Sequence, residues 1–211
     1  MKKQKPLKTK TNIHSLKKEL IETSKYFYNR GWMMGTSGNL SALASDNSFI
    51  ITTSGKDKGN LTNKDFILVN GDGKAVSKNS NSSPSAETLI HNAIYKNTQA
   101  RFIYHVHTVN ITVLSMEEKN SISFNGLEMI KGLGHKTHDK TIHIPIIENS
   151  QDMKYIASII PNHISEEVPG LILRGHGIYA WGNTSLEAKR HIEIFEFLCE
   201  YKIRTNKQLP I

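Results

Sequence analysis

The sequence predicts a single α/β domain in which helices pack on a sheet of mostly short strands. Two observations support this prediction. Segments whose apolar residues recur at helical spacing alternate with short β-rich segments bounded by turn formers, a mixture that is typical of sheets covered by helices. The chain has 211 residues and shows no internal repeat, which suits one domain with a sizeable core.

The first elements along the chain are a helix and three strands. Apolar residues recur at helical spacing over residues 13–30, and Gly31 supplies a C-terminal stop. Residues 32–76 change to β-rich pieces separated by turn formers such as those at 71–73. These pieces are NLSAL, SFIITTS and FILVN. We therefore expect an amphipathic helix followed by antiparallel strands.

The second part of the chain alternates helices with strands. The polar stretch SKNSNSSPS at 77–85 stays inside the domain, because residues 86–95 predict a helix that leads directly to the strand RFIYHVHTV at 101–109. The elements expected after it are a short strand at 121–124, a strand at 143–147, a helix near 151–160 and a strand-turn-strand at 170–182.

The last helix has the clearest start signal in the sequence. Thr184 and Glu187 form a capping-box pattern, in which side chains bond to free backbone N–H groups of the first turn. The apolar face that follows consists of Leu186, Ala188, Ile192, Phe195, Leu198 and Cys199. This pattern predicts an amphipathic helix that packs on the sheet.

The formal charge of +8 raises the question of nucleic-acid binding. Five lysines lie in the first ten residues, and without them the charge falls from +8 to +3. We therefore predict a basic, disordered tail at residues 1–11, a folded domain at 12–211, and neither a nucleic-acid partner nor a membrane partner. The remaining positive charge is also compatible with a phosphorylated small substrate.

The cysteine content and the start of the chain indicate the cytoplasm. Cys199 is the only cysteine, so no internal disulfide can form. The lysine-rich start is not followed by the apolar stretch of a secretory signal, and no apolar run is long enough to cross a bilayer. A soluble cytoplasmic protein is the expectation.

Three histidines are candidate metal ligands. His105 and His107 lie two residues apart in YHVHTVN, and residues i and i+2 of a β-strand point to the same face. His176 stands between two glycines in RGHGIYAWG, which allow a sharp turn. Three imidazoles hold zinc with one position open for water or substrate, and they also suit nickel, cobalt or iron. The alternatives are unrelated strand histidines and an exposed turn histidine.

Three short segments offer groups that can bind an anion. TSGNLS and TTSGKDKG combine Ser and Thr hydroxyls with glycine N–H groups, and the second adds Lys56 and Lys58. In SPSAETLIH, Ser85 can cap the next helix, and Glu87 would then lie in its first turn. Each segment also has a purely structural interpretation as a turn or a cap.

The order of these motifs resembles the class II aldolase and adducin-head family. SGNLS, TSGK, PSAE, HVH and RGHGIYAWG follow one another as they do in that family, over about residues 32–182. The resemblance implies a single-domain class II aldolase-like fold, a three-layer α/β/α arrangement with a mainly antiparallel central sheet. It also implies a phosphorylated sugar substrate and a homotetramer with active sites near the subunit contacts.

The resemblance also assigns roles to individual residues. His105, His107 and His176 match the family's zinc ligands, which implies one Zn²⁺ per subunit. Other positions match its phosphate-binding loops or are further candidates for phosphate contact. These positions are Ser37, Gly38, Asn39, Ser54, Gly55, Lys58 and Ser85.

Two carboxylates compete for the acid/base role. NGLEMIKGL, PIIEN and HGIYAWG are closer to the family's dehydratases than to its sugar-phosphate aldolases. The dehydratase pattern indicates Glu128 as the acid/base, with Glu87 as a supporting carboxylate near the metal. The aldolases and epimerases instead place their acidic residue just before H-x-H, which matches Glu87. The aldolase pattern also has a second Ser where this chain has Ala86.

The expected activity is the zinc-dependent dehydration of a methylthio-substituted sugar phosphate in methionine salvage. One alternative is a metal-dependent sugar-phosphate aldolase or epimerase on the same fold. The other is a non-catalytic, adducin-like interaction module, against which the retention of all three histidines argues.

Overall fold

The computed structural model describes residues 12–76 and 82–206, so the predicted basic tail lies outside the described residues, as does most of the polar stretch at 77–85. The helices are α1 (Ile13–Asn29), α2 (Thr88–Asn97), α3 (Val109–Glu117), α4 (Met153–Ile159) and α5 (Ser185–Asn206). The strands are β1 (Asn39–Ser45), β2 (Ser48–Thr52), β3 (Phe66–Asn70), β4 (Phe102–Val106), β5 (Ser121–Phe124), β6 (Ile142–Ile147), β7 (Gly170–Leu173) and β8 (Gly177–Gly182). Short 3-10 helices cover Glu128–Leu133 and Ile160–His163.

The eight strands form one sheet in the order β3-β2-β1-β4-β8-β7-β6-β5. Neighbouring strands are antiparallel except for the pair of β6 and β7. The prediction of a mainly antiparallel central sheet is therefore confirmed. Strands β1, β4 and β8 lie side by side in the middle of this sheet, and the chemically important residues cluster at the ends of these strands.

Helices cover both faces of the sheet and complete the predicted three layers. One face packs against α1, α3 and α5, and the other packs against α2 and α4. The alternation of side chains along β4 shows the division, because Tyr104 lies in the first core and Ile103 in the second. Among the described helices, none combines the length and the apolar character needed to cross a membrane.

The predicted start of α5 is confirmed, with one exception on its apolar face. Glu187 donates its backbone N–H to the Thr184 hydroxyl at 3.1 Å, and its carboxylate accepts from the Asn183 N–H at 2.7 Å. Most of the predicted apolar face is buried, but Leu186 is 70% exposed. Leu186 lies in the first turn of the helix, where it points away from the sheet.

The prediction of one strand over residues 101–109 is wrong at its C-terminal end. Strand β4 ends at Val106, and helix α3 begins at Val109, within a run of β-branched residues that favours a strand locally. Thr108 is the N-cap of α3, and its hydroxyl accepts from the Ile111 N–H. The carboxylate of Glu196 on α5 accepts hydrogen bonds from the Thr108 hydroxyl and the Asn110 amide. These tertiary contacts outweigh the local β propensity.

Candidate metal centre

Three imidazoles converge where β4 meets the turn between β7 and β8. His105 is the fourth residue of β4, His107 follows the end of that strand, and His176 lies in the turn before β8. The Nε2 atom of His105 lies 2.9 Å from that of His107 and 3.3 Å from that of His176. One ligand atom from each histidine lies within 4.8 Å of the others. The antiparallel pairing of β4 with β8 brings the third histidine to the first two.

The rings of His105 and His107 lie side by side for a different reason from the one predicted. His107 lies outside β4, so a shared strand face does not explain why its ring is beside that of His105. The chain turns after Val106 and starts α3 two residues beyond His107, and the His107 N–H bonds to the Trp32 carbonyl at 2.9 Å. This main-chain contact to the segment before β1 fixes the position of His107.

The three nitrogens fit a bound divalent cation. The Nδ1 atom of His105 lies 3.0 Å from the Ile178 carbonyl, which can only accept, so Nδ1 carries the proton and Nε2 presents a lone pair. Tetrahedral zinc with nitrogen bonds of about 2.0–2.1 Å would separate its ligands by about 3.3 Å. The two measured separations, 2.9 and 3.3 Å, are close to this value. The cluster therefore has the spacing of a metal site, and His105 directs a free lone pair into it.

Burial keeps the imidazoles of His105 and His107 available as neutral ligands. His105 is fully buried, and desolvation holds its pKa well below the ordinary value for histidine. Desolvation, together with the nearby His176, also lowers the pKa of His107 to about 4. Metal binding requires neutral imidazole. The site therefore does not have to lose protons from these two rings before binding a cation at neutral pH.

The backbone of β8 approaches the cluster so closely that residue 177 must be glycine. A Cβ atom at Gly177 would lie 2.3 Å from the Val106 carbonyl oxygen, 3.0 Å from the His107 ring and 3.1 Å from the His105 ring. The Tyr179 ring supports the same site by stacking on His105, with centroids 4.0 Å apart and planes at 11°. The glycine and the tyrosine thus fix the planes of the ligand rings.

Glu87 lies directly against the histidine cluster. Its Oε1 atom is 3.1 Å from His176 Nε2, and its Oε2 atom is 3.4 Å from His105 Nε2. The Asn39 amide donates to Oε2 at 2.5 Å. Burial alone would raise the pKa of Glu87, but His105, His176 and Asn39 together hold that pKa below its ordinary value. The carboxylate is therefore ionised beside the candidate metal.

Lys58 is a buried cation next to the same site. Its residue surface is 2% exposed, and its Nζ donates to the carbonyls of Thr36 and Lys56 at 2.8 and 2.9 Å. Desolvation lowers the pKa of Lys58, and the charges of Asp57 and Glu87 oppose this effect. An ammonium has three N–H donors, so one remains for a further acceptor. A buried cation held by two main-chain carbonyls favours an anionic ligand.

The predicted phosphate-binding loops surround Lys58 and Glu87. Lys58 joins the loop at residues 36–38 to the loop at 54–58, and a hydrogen bond from the Ser54 N–H to the Ser83 carbonyl joins the latter to the segment before α2. Ser54 and Gly55 are exposed, whereas Ser37, Gly38 and Ser85 are partly buried. The structure thus brings the predicted loop residues to one side of the histidine cluster.

Within one chain, Glu128 lies apart from the histidine cluster and from Glu87. The side chain of Glu128 is 71% exposed, forms an ion pair with Lys131 at 2.8 Å and lies 3.5 Å from His138 Nδ1. The Lys131 hydrogen bond is the main reason that the pKa of Glu128 is lowered. Its catalytic role therefore stays a prediction, and within one chain Glu87 is the predicted carboxylate that lies at the cluster.

A further buried residue, His91, was not identified from the sequence and lies one helical turn after Glu87 on α2. His91 is fully buried, and its Nε2 lies 2.5 Å from the side-chain oxygen of Asn39. The spacing of four residues between Glu87 and His91 in AETLIH is the signal that would have placed both on one helix face.

The geometry of the site agrees with a known family. Residues 18–203 match the family described as the class II aldolase and adducin N-terminal domain. The chain belongs to this family. Among solved structures, L-fuculose-1-phosphate aldolase from Thermus thermophilus has a similar fold, with a TM-score of 0.74 and 22% identity over 92% of this chain and 97% of that one. The predicted class II aldolase-like fold is therefore confirmed.

Two proteins of similar sequence are named as dehydratases. The methylthioribulose-1-phosphate dehydratase of Persephonella marina is 47% identical over 178 residues, which cover 82% of each chain. The enzyme of the same name from Bacillus subtilis is 40% identical over 191 residues, which cover 89% of this chain and 91% of that one. The chain is thus similar to methylthioribulose-1-phosphate dehydratases over most of its length.

Replacement of Gly177 by alanine tests the close approach of β8 to the cluster. The added Cβ would clash with the Val106 carbonyl and crowd both histidine rings, so β8 and β4 must move apart at the cluster. We therefore expect Gly177→Ala to weaken zinc binding by about 10–100-fold, the usual loss when a group that positions a metal ligand is removed. Competition with a chelator measures this affinity. Gly170→Ala is the control, because its Cβ would meet Phe195 instead of the histidines. Equal zinc affinity in the two variants would contradict the prediction.

Proposed function

We propose that this protein dehydrates 5-methylthioribulose 1-phosphate to 2,3-diketo-5-methylthiopentyl 1-phosphate in the methionine salvage pathway, and that it does so in the cytoplasm. The observation that carries the proposal is the joint presence of a three-histidine cluster, an ionised carboxylate and a buried cation in one site. The names of relatives that are 40–47% identical support the choice of substrate.

His105, His107 and His176 would hold the metal, which we propose is one Zn²⁺ per subunit. Three neutral nitrogens and an open fourth position suit zinc at a catalytic site. Bound there, the ion supplies a Lewis acid for the carbonyl group of the substrate. Glu87 lies against His105 and His176, and we propose that it acts as a supporting carboxylate that orients groups near the ion.

The phosphate of the substrate would bind between the loops that Lys58 joins. The third N–H of Lys58 is available to a phosphate oxygen, and a charge-assisted hydrogen bond in a buried place is strong. We propose that hydroxyls and free N–H groups of these loops also donate to the phosphate, as in a backbone anion nest. They belong to Ser37, Gly38, Asn39, Ser54, Gly55 and Ser85. This arrangement would fix the sugar chain with its C2 carbonyl toward the histidines.

The reaction requires one group that removes a proton and returns it. We propose that Glu128 takes the proton from C3, next to the C2 carbonyl, and delivers it to the hydroxyl at C4. The C4–O bond then breaks, water leaves, and the resulting enol becomes the 3-keto group. General acid/base help of this kind contributes about 10²–10⁴-fold to the rate.

A homotetramer would reconcile this role with the position of Glu128. Its side chain is 71% exposed within the chain, whereas an acid/base group must come within hydrogen-bond reach of the substrate. We propose that Glu128 of one subunit completes the site that the three histidines of a neighbouring subunit form. Subunit contacts would also exclude water from the site.

A second candidate activity has one observation in its favour. Glu87 lies at the histidine cluster, and it occupies the position that acidic residues of the family's aldolases and epimerases occupy before H-x-H. A sugar-phosphate aldolase or epimerase would use Glu87 as its acid/base and would not need Glu128. The reaction product separates the two candidates.

The first experiment is mass spectrometry of the product that the zinc-loaded protein forms from 5-methylthioribulose 1-phosphate. We expect the loss of one water, and a fall of about 10²–10⁴-fold in kcat for Glu128→Gln. Glu167→Gln is the control, because Glu167 is another exposed carboxylate paired with a lysine. Cleavage to an aldehyde would favour the aldolase. A protein without bound metal and without turnover would favour an interaction module.

Mixed oligomers test whether two subunits share a site. His107→Ala lacks a metal ligand and Glu128→Gln lacks the acid/base, so each variant alone should be inactive. We expect co-expression with two different tags to yield mixed oligomers that regain activity, because some sites then contain intact histidines and an intact Glu128. A mixture of His107→Ala with His176→Ala should stay inactive. Failure of the first mixture would place Glu128 and the histidines of a working site on the same chain.

Lys58→Met tests the phosphate site. Loss of a hydrogen bond to a charged group costs about 1.5–3 kcal/mol, so we expect KM to rise by roughly 10–150-fold. Lys56→Met is the control, because Lys56 pairs with Asp65 at 3.3 Å and its side chain is 43% exposed. Thermal unfolding of both variants separates substrate binding from stability. An unchanged KM in folded Lys58→Met would show that Lys58 does not contact the phosphate.

A further inference from the structure

A continuous chain of hydrogen bonds lies behind Glu87. Asn39 donates to Glu87 at 2.5 Å, and its side-chain oxygen lies 2.5 Å from His91 Nε2. The other ring nitrogen, His91 Nδ1, is 2.7 Å from the Ser41 hydroxyl, which is 2.7 Å from the Tyr95 hydroxyl. Asn39 and Ser41 are two residues apart on β1, whereas Glu87, His91 and Tyr95 follow one another at intervals of four on α2 and its N-cap. Facing sides of these two elements therefore supply all five groups.

The Asn39 amide determines the direction of the bonds in this chain. Its NH₂ group faces Glu87, and its oxygen, which can only accept, faces His91. His91 must then have its proton on Nε2 and a lone pair on Nδ1. The lone pair accepts from the Ser41 hydroxyl, which in turn accepts from Tyr95. Four donors therefore point in one direction, from Tyr95 to Glu87.

The surroundings of the chain keep its members in these states. His91 and Ser41 are fully buried, and Asn39 is 4% exposed. Desolvation lowers the pKa of His91 to about 3, so its ring is neutral. Desolvation also raises the pKa of Tyr95, whose hydroxyl thus keeps its proton as the first donor. Buried polar groups with all partners in place define one geometry, because each alternative leaves a group unpaired.

We propose that His91 and Ser41 are positioning residues, which fix the Asn39 amide and through it hold the Glu87 carboxylate against the metal ligands. Neither residue forms a hydrogen bond with the three histidines, and His91 reaches the proposed substrate site only through Asn39. The side chain of Asn39, which the family resemblance assigns to phosphate binding, orients Glu87 in this arrangement. The effect on catalysis rests on the proposed function, whereas the hydrogen-bond direction does not.

Nitrogen NMR of the histidine rings tests the direction without any substrate. In protein with ¹⁵N-labelled histidine, His91→Gln identifies the His91 signals by their loss. We expect wild-type His91 to be the Nε2–H tautomer, both without metal and with zinc. Ser41→Ala removes the donor to Nδ1 but leaves the Asn39 oxygen that accepts from Nε2, so we expect Nε2 to keep its proton and the Nδ1 signal to move to that of an unbonded lone pair. An Nδ1–H tautomer in the wild type would overturn the proposal.

Enzyme kinetics test the consequence for catalysis. His91→Leu removes the donor to Asn39, and we expect kcat to fall by about 10²-fold, as for small displacements of catalytic groups, with KM and zinc content unchanged. His91→Gln should recover most of this loss, because its amide N–H can reach the Asn39 oxygen. His191→Leu is the control for the loss of a buried histidine, since His191 bonds to the Trp181 carbonyl away from the site.

The two measurements separate the possible failures. A purely structural role would make His91→Leu and His191→Leu lose stability alike and leave kcat per folded molecule unchanged, which would overturn the proposal. Absence of rescue by glutamine would also contradict it. If the wild type does not dehydrate the proposed substrate, the proposed function fails, and the tautomer measurement still decides whether the chain of bonds exists. If His91→Leu does not fold, the kinetic comparison is made with Ser41→Ala.

Discussion

Three histidine nitrogens that meet at one point are the constraint on which the rest of this site depends. Nitrogens 2.9 and 3.3 Å apart need either a shared proton or a cation between them, because facing lone pairs repel. The fold holds these nitrogens in place through three contacts. They are the pairing of β4 with β8, the main-chain hydrogen bond of His107 and the stacking of the Tyr179 ring on His105. The site thus has the rigidity that a catalytic metal requires before the metal arrives.

The surrounding groups follow from this constraint. A cation among three histidines favours an ionised carboxylate nearby, and Glu87 occupies that position. Close to the same cluster, Lys58 provides positive charge that its main-chain partners do not neutralise. A sugar phosphate has a group for each of these partners, because its phosphate suits the ammonium and its carbonyl suits the metal. The metal site and the Lys58 ammonium together therefore define how such a ligand is oriented.

Local sequence signals predicted much of the fold and the three histidines that the structure brings together. Turn formers, the capping box of α5 and the HVH and HGI motifs depend on near neighbours, so the sequence shows them directly. Helix α3 was missed because its first turn depends on Glu196, which lies 88 residues from Thr108. The contact of Asn39 with Glu87 spans 48 residues, so its existence could not be predicted from spacing. Glu128 was identified by resemblance alone, and its exposure could not be predicted from the sequence.

The metal ligands and the carboxylate have supports of different chemical kinds. The ring of His105 bonds to the main-chain carbonyl of Ile178, which every residue type at that position would provide. Glu87 instead depends on the side chains of Asn39, His91 and Ser41, each of which a single codon change can remove. Mutation can therefore move the carboxylate while leaving the metal in place. A fold built in this way can acquire new reactions in evolution without losing its metal.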